Sequence, residues 1–222
     1  MAVEAATAEE FLNRTFAPKE PLIEHLLHRR DLVALGARRR NGKTTFLTNL
    51  GVALAMPARD FLGYPIPERR RTLMLALEDD PGEYQSFLRR IVGRNLLHGA
   101  FKVLRGEDIH NPDVNIDASD EKFQAEVLVN ALDHYADVVI VDNLAHVVNP
   151  DFNDSRRIHG AMKFFYNVAA EANSAVIIAA HPRKEKADEK LRLEDDKVHF
   201  FESIMGSSMF INTTGSLWGL ER

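Results

Sequence analysis

The stretch Asp31-Leu-Val-Ala-Leu-Gly36-Ala37-Arg38-Arg39-Arg40-Asn41-Gly42-Lys43-Thr44-Thr45-Phe46 leaves this chain few folds to choose from. Its first part is an apolar run of strand length, its middle a loop rich in arginine, and its end opens a long apolar helix, Phe46 to Ala55. A buried strand that feeds a helix through a sharp loop aims the helix's unpaired first amides at whatever sits beyond the strand's carboxyl end. Those N–H groups and the helix dipole favour negative charge, and phosphate is the natural guest. Lys43 reaches a β/γ-phosphate as a point charge, and Thr44 offers a hydroxyl to Mg²⁺. The residues expected to wrap the phosphates are Ala37, Arg38, Arg39, Arg40, Asn41, Gly42, Lys43, Thr44 and Thr45. The P-loop pattern G-x-x-x-x-G-K-[ST] asks for glycine at the position of Ala37, and Gly36 lies one residue earlier. Either Ala37 takes the first glycine's place or the loop is one residue longer. The strand before the loop and the helix after it carry the assignment beyond a bare Gly-Lys-Thr-Thr, which recurs by chance.

The rest of the chain repeats the alternation. Thr72–Leu77, Phe101–Leu104, Ala136–Val141, Ser174–Ala180 and Ser216–Leu220 read as strands, mostly continuous apolar runs of the kind buried on both faces. Between them lie helical patterns. One begins near Pro81 with Phe87, Leu88, Ile91 and Val92 on one side, one is capped by Ser119 and runs to about Tyr135, and one spans Asn153 to Glu171. Helix-length crossovers require parallel pairing, so the expected fold is a three-layer α/β sandwich with a mostly parallel central sheet. Residues 1–30 read as a lead-in, with a short amphipathic stretch at Glu9–Asn13 and a short helix over Leu22–Leu27, and residues 31–222 as the domain itself. His25 and His28 on that short helix read as an exposed face rather than a metal pair. Met56–Arg71 is turn-rich, and the densely charged stretch within 183–199 reads as a mobile loop.

Composition narrows the class. With 222 residues, 45% hydrophobic and 27% charged, the chain can bury a full core in one domain. It has no cysteine, which excludes disulfides and thiolate metal sites. The acidic N-terminus lacks the pattern of a signal peptide and no apolar run approaches a membrane span, so no membrane partner and a cytoplasmic location are expected. A net charge of -5 counts against a constitutive nucleic-acid binder, although basic residues cluster at Arg38–Arg40, at Arg69–Arg71, and at Arg183, Lys184 and Lys186.

In an open α/β sheet, ligands bind outside the carboxyl ends of the strands. Here those ends carry the P-loop, Glu78, Asp142 and His181. Asp142, closing an apolar strand, is placed to orient Mg²⁺ together with Thr44. Glu78 is placed to align or deprotonate a water attacking a γ-phosphate, with Asp79 and Asp80 as alternatives, one of which caps the helix at Pro81. His181 can hydrogen-bond that phosphate or simply be a satisfied polar group. The expected catalytic set is Glu78, Lys43 and His181.

Several segments, in order, resemble the RecA-like P-loop ATPases, and specifically an AAA-type branch similar to hexameric plasmid replicative helicases. These are Pro21-Leu-Ile-Glu-His-Leu-Leu, the P-loop, Asp60-Phe-Leu-Gly63, Leu75-Ala-Leu-Glu78-Asp79, Val139-Ile-Val-Asp142-Asn-Leu144, Ala180-His181-Pro-Arg183-Lys184 and Met205-Gly-Ser-Ser208. The resemblance implies ATP and Mg²⁺, a catalytic glutamate at Glu78 and a γ-phosphate sensor at His181. It also implies a homo-oligomer such as a hexameric ring, an arginine finger from the neighbouring subunit, and single-stranded DNA as a candidate partner at the 183–199 loop. Met205 stands where an arginine is common, leaving Arg183, Lys184 and Arg222 as candidate fingers. Two activities follow as expectations: an ATP-driven, helicase-like motor, or an ATP-dependent regulatory switch that moves no DNA.

Overall fold

Strand and helix alternate along the chain as the apolar pattern requires. The computed structural model describes residues 5–38, 40–57, 60–93, 97–109, 114–148, 155–181, 193–194, 197–203 and 213–221. In chain order the elements are α1 (Ala8–Leu12), the strands β1 (Pro21–Ile23), β2 (Leu27–His28) and β3 (Leu32–Ala37), then α2 (Lys43–Ala55). Next come β4 (Asp60–Phe61), β5 (Tyr64–Pro65), β6 (Thr72–Ala76), α3 (Pro81–Val92), β7 (Phe101–Leu104) and α4 (Glu121–Asp133). The chain continues through β8 (Val138–Asp142), α5 (Leu144–Val147), α6 (Ser155–Glu171), β9 (Ala175–Ala180), α7 (Lys197–Ser203) and β10 (Ser216–Leu220).

Six strands form one parallel sheet in the order β10-β3-β9-β8-β6-β7. The P-loop strand β3 therefore has β9 beside it, with β8 and β6 beyond, so the strands that end near His181, Asp142 and Glu78 follow one another across the sheet. Alternate residues of each strand face opposite layers. Leu32, Ala34, Leu73, Leu75, Val139, Val141, Val176 and Ile178 pack with α4 and α6, whereas Val33, Leu35, Met74, Ile140 and Ile177 pack with α2 and α3. This is the three-layer arrangement expected of the sequence.

Gly51 sets the distance of α2 from the sheet. A Cβ there would lie 2.6 Å from the Phe101 ring and 3.1 Å from the Thr72 methyl, so only glycine lets the helix approach this closely.

Three local expectations need correction, and one is made more specific. Leu22–Leu27 is a hairpin of β1 and β2, not a helix. Leu22, Ile23 and Leu27 are all fully buried, and the turn between the strands is closed by the Leu26 amide on the Ile23 carbonyl, with His25 at φ 62. Burial against the core thus overrides an i,i+4 spacing that also suits a helix. Leu62 and Gly63 lie at φ 54 and 83 between β4 and β5, so the turn-rich segment contains a tight hairpin. The cap of α4 is Asp120, whose carboxylate accepts from the amides of Lys122 at 2.8 Å and Phe123 at 3.0 Å, while Ser119 Oγ donates to Asp117. Finally, Lys197–Ser203 is helical, so the last part of the expected loop 183–199 is α7. Asn153, where α6 was expected to start, lies outside the described residues, as do Arg39, Arg183, Lys184, Met205, Gly206–Ser208 and Arg222.

Candidate active site

The P-loop begins where β3 ends. Ala37 is fully buried and in register with Leu220, so it belongs to the sheet, and the loop proper is 38–42. Inside that loop the Asn41 amide donates to the Arg38 carbonyl at 3.2 Å and Arg40 turns at φ 66. Gly42 then enters α2 at φ 80, a left-handed conformation that glycine adopts without strain. No side chain caps α2, and its own first turn holds no acidic residue, so its leading amides are not taken up by a capping side chain. Arg40 and Thr45 are exposed and Arg38 and Asn41 half-buried at the rim.

Four strand ends converge on Lys43. Its side chain is buried, with Nζ 2.9 Å from Nε2 and 3.0 Å from Nδ1 of His181, which follows β9. Nε2 of His181 lies 3.6 Å from Glu78 Oε2. Asn143 Nδ2 donates to the same Glu78 oxygen. The Leu77 amide donates to the Asp142 carbonyl at 3.0 Å, which aligns the end of β6 with that of β8. Asn143 is itself fixed, since its Oδ1 caps α5 through the Ala145 amide at 2.8 Å.

The electrostatics sort three neighbouring carboxyl groups. Glu78 is lowered to about 2, chiefly by His181 and then by the Lys43 charge and Asn143, so it is a carboxylate throughout the neutral range. Burial pushes Asp79 up, helped by repulsion from Glu78, and Asp80 caps α3 through the amides of Gly82 and Glu83. Of the three candidates, only Glu78 touches His181 and Asn143. Asp142 is 2% exposed, and burial raises its carboxyl while the Thr44 hydroxyl and the Lys43 charge oppose the rise. Its Oδ1 is buried and has no hydrogen-bond partner among the described residues. A buried carboxylate oxygen without a partner, beside a threonine hydroxyl, is a donor set that fits a hard, oxygen-binding cation such as Mg²⁺.

Sequence reading assigned no role to three residues near this centre. Asn143 directly follows Asp142, yet its contact with Glu78 spans 65 positions and is not readable from spacing. Arg105, just past β7, donates from Nη2 to the Asp79 carbonyl at 2.5 Å and so braces the turn that carries Glu78. Tyr84 on α3 is buried against Thr48, and burial raises its hydroxyl to about 12, so it stays neutral beside Asp142 and Asp79.

A parallel sheet with a P-loop on one strand end, and carboxylates on the ends of strands across the sheet, defines a P-loop nucleotide-binding protein of the RecA-like type. The chain belongs to the AAA domain family, whose profile matches residues 2–187. The sheet and its helices are also similar to those of the KaiC-like protein PH0186 from Pyrococcus horikoshii OT3, with a TM-score of 0.50 and 14% identity over 74% of this chain and 67% of that one. At that identity the likeness speaks for the fold alone. Comparison with curated proteins finds no match.

Proposed function

We propose that this P-loop ATPase domain hydrolyses ATP with Mg²⁺ and couples turnover to action on DNA, as a helicase-like motor in replication or recombination. The observation that carries the catalytic half of this reading is the convergence of Lys43, Glu78, Asp142 and His181 from four strand ends. Phosphate entering the loop draws Lys43 off His181, because a multiply charged phosphate is a stronger partner for an ammonium group than an imidazole ring is. Glu78 then loses a nearby cation and gains a nearby anion. Both changes raise its proton affinity from the resting value of about 2, so substrate binding itself makes Glu78 a better acceptor for the proton of an attacking water. Asn143 holds the carboxylate in place during that exchange. Thr44 and Asp142 would hold Mg²⁺, which would supply neutralisation of phosphate charge. His181, released from Lys43, turns to the γ-phosphate and reports its loss to the segment that follows β9.

The DNA half of the proposal, and a homo-oligomer such as a ring completed by a neighbour's arginine, rest on the resemblance of the ordered motifs to hexameric plasmid replicative helicases. A second reading has its own support. The Lys43–His181–Glu78 contact chain is a device that nucleotide binding breaks, which suits a regulatory switch that moves no DNA. ATPase rates with and without single-stranded DNA, measured beside the assembly mass, separate the two. Stimulation in a ring-sized assembly is expected for the motor. A DNA-indifferent monomer or dimer overturns it in favour of the switch.

A further inference from the structure

A second cavity lies at the opposite edge of the sheet from the P-loop, at the amino ends of β6 and β7. It encloses about 430 Å³ and is lined by Arg69, Arg70, Arg71, His98, Asp133 and Tyr135, among others. That volume is within the range of small-molecule sites. Three arginines face one aspartate, so the cavity is cationic. Arg70 is answered by Glu20 at 2.7 Å, but the Arg69 and Arg71 side chains bond to carbonyl oxygens rather than to a carboxylate among the described residues. The Arg71 main chain is fixed: its amide donates to Asp137 Oδ2 at 2.8 Å, and its carbonyl accepts from the Asp137 and Val138 amides. Its guanidinium sits 5.6 Å from the centre of the Tyr135 ring, a cation–π pair. Tyr135 nevertheless remains 76% exposed, which leaves a ring face open at the mouth of a cationic cavity.

We propose that this cavity binds a nucleotide unit, with phosphate on Arg69 and Arg71 and a base stacked on Tyr135. The chemistry is that of single-strand recognition, where a basic groove takes the backbone and an aromatic face takes a base of any identity. The same unit can arrive as a free mononucleotide or as one residue of a strand. This site is independent of the P-loop and of the ATPase reading, since none of its residues contributes to the Lys43 centre.

The test uses the full chain carrying Lys43→Ala, so that the P-loop does not contribute, with two probes: the fluorescent nucleotide mant-AMP and a fluorescein-labelled oligothymidylate. At least one probe is expected to bind, with affinity falling as salt rises. Tyr135→Ala and Arg71→Gln are each expected to weaken it by about tenfold, while Tyr135→Phe retains it. Tyr135 and the Arg71 side chain are exposed, and an unchanged thermal midpoint in each variant establishes that the fold is intact. Tighter binding of the oligomer identifies a strand as the ligand, and tighter binding of mant-AMP identifies a free nucleotide. The proposal is overturned if neither probe binds, if folded Tyr135→Ala and Arg71→Gln bind like the parent, or if inorganic phosphate displaces the probe as well as unlabelled AMP does.

Discussion

Asp142 and Glu78 lie at the ends of neighbouring strands and respond to pH with opposite signs. The Glu78 carboxyl is depressed to about 2 from an ordinary value of 4.5, so it stabilises the fold above the ordinary value, and that contribution is lost as pH falls from there towards 2. Glu78→Gln should flatten the acid limb of a plot of thermal midpoint against pH, and in the same protein retain ATP binding while lowering turnover by about 10²–10⁴-fold. Normal turnover in that variant would move the base elsewhere. Asp142 is raised by burial, so its effect on stability is favourable at acid pH and is lost as pH rises through its folded value. Asp142→Asn should therefore raise the thermal midpoint of the nucleotide-free protein by an amount that grows as pH rises, since it replaces a buried carboxyl that lacks a full set of partners. It should also abolish the additional stabilisation that Mg²⁺ gives in the presence of ATP. A lower midpoint without nucleotide contradicts this account of Asp142.

The elements bring these residues together by close packing, and Gly51 is the position where that packing is tightest. Gly51→Val places branched carbons where one Cβ already meets Phe101 and Thr72, so it should cost about 1–3 kcal/mol in chemical denaturation, with an unchanged slope against denaturant. A neutral effect would mean that α2 stands off the sheet. At this scale much of the structure was legible in the sequence. The apolar runs ending at Leu77, Val141 and Ala180 correspond to β6, β8 and β9, because strands buried on both faces leave a continuous signature. The Leu22–Leu27 hairpin was not legible, since its spacing satisfies helix and strand alike and only the buried surface beneath it decides. Asn143 and Arg105 were hidden for a different reason. Their contacts depend on β6 lying between β8 and β7, which chain order does not reveal, just as it does not reveal that β9 inserts between β3 and β8.

For the whole molecule, that insertion is the decisive fact. It brings His181 to Lys43 across 138 positions and turns a phosphate loop into one wall of a four-sided centre. No described helix is long and apolar enough to cross a membrane. Two edges of the sheet carry two different chemistries: the P-loop centre at the carboxyl ends of the strands, and a cationic cavity beside Tyr135 at the amino ends. The central claim is that Lys43 and Glu78 divide binding from turnover within one centre. It is tested most directly by titrating MgATP into the parent, Lys43→Ala and Glu78→Gln while following both bound nucleotide and released phosphate. The account predicts that the parent binds and releases phosphate, that Lys43→Ala loses binding by roughly 10²-fold or more, and that Glu78→Gln binds without releasing phosphate. Undiminished phosphate release by Lys43→Ala would contradict it.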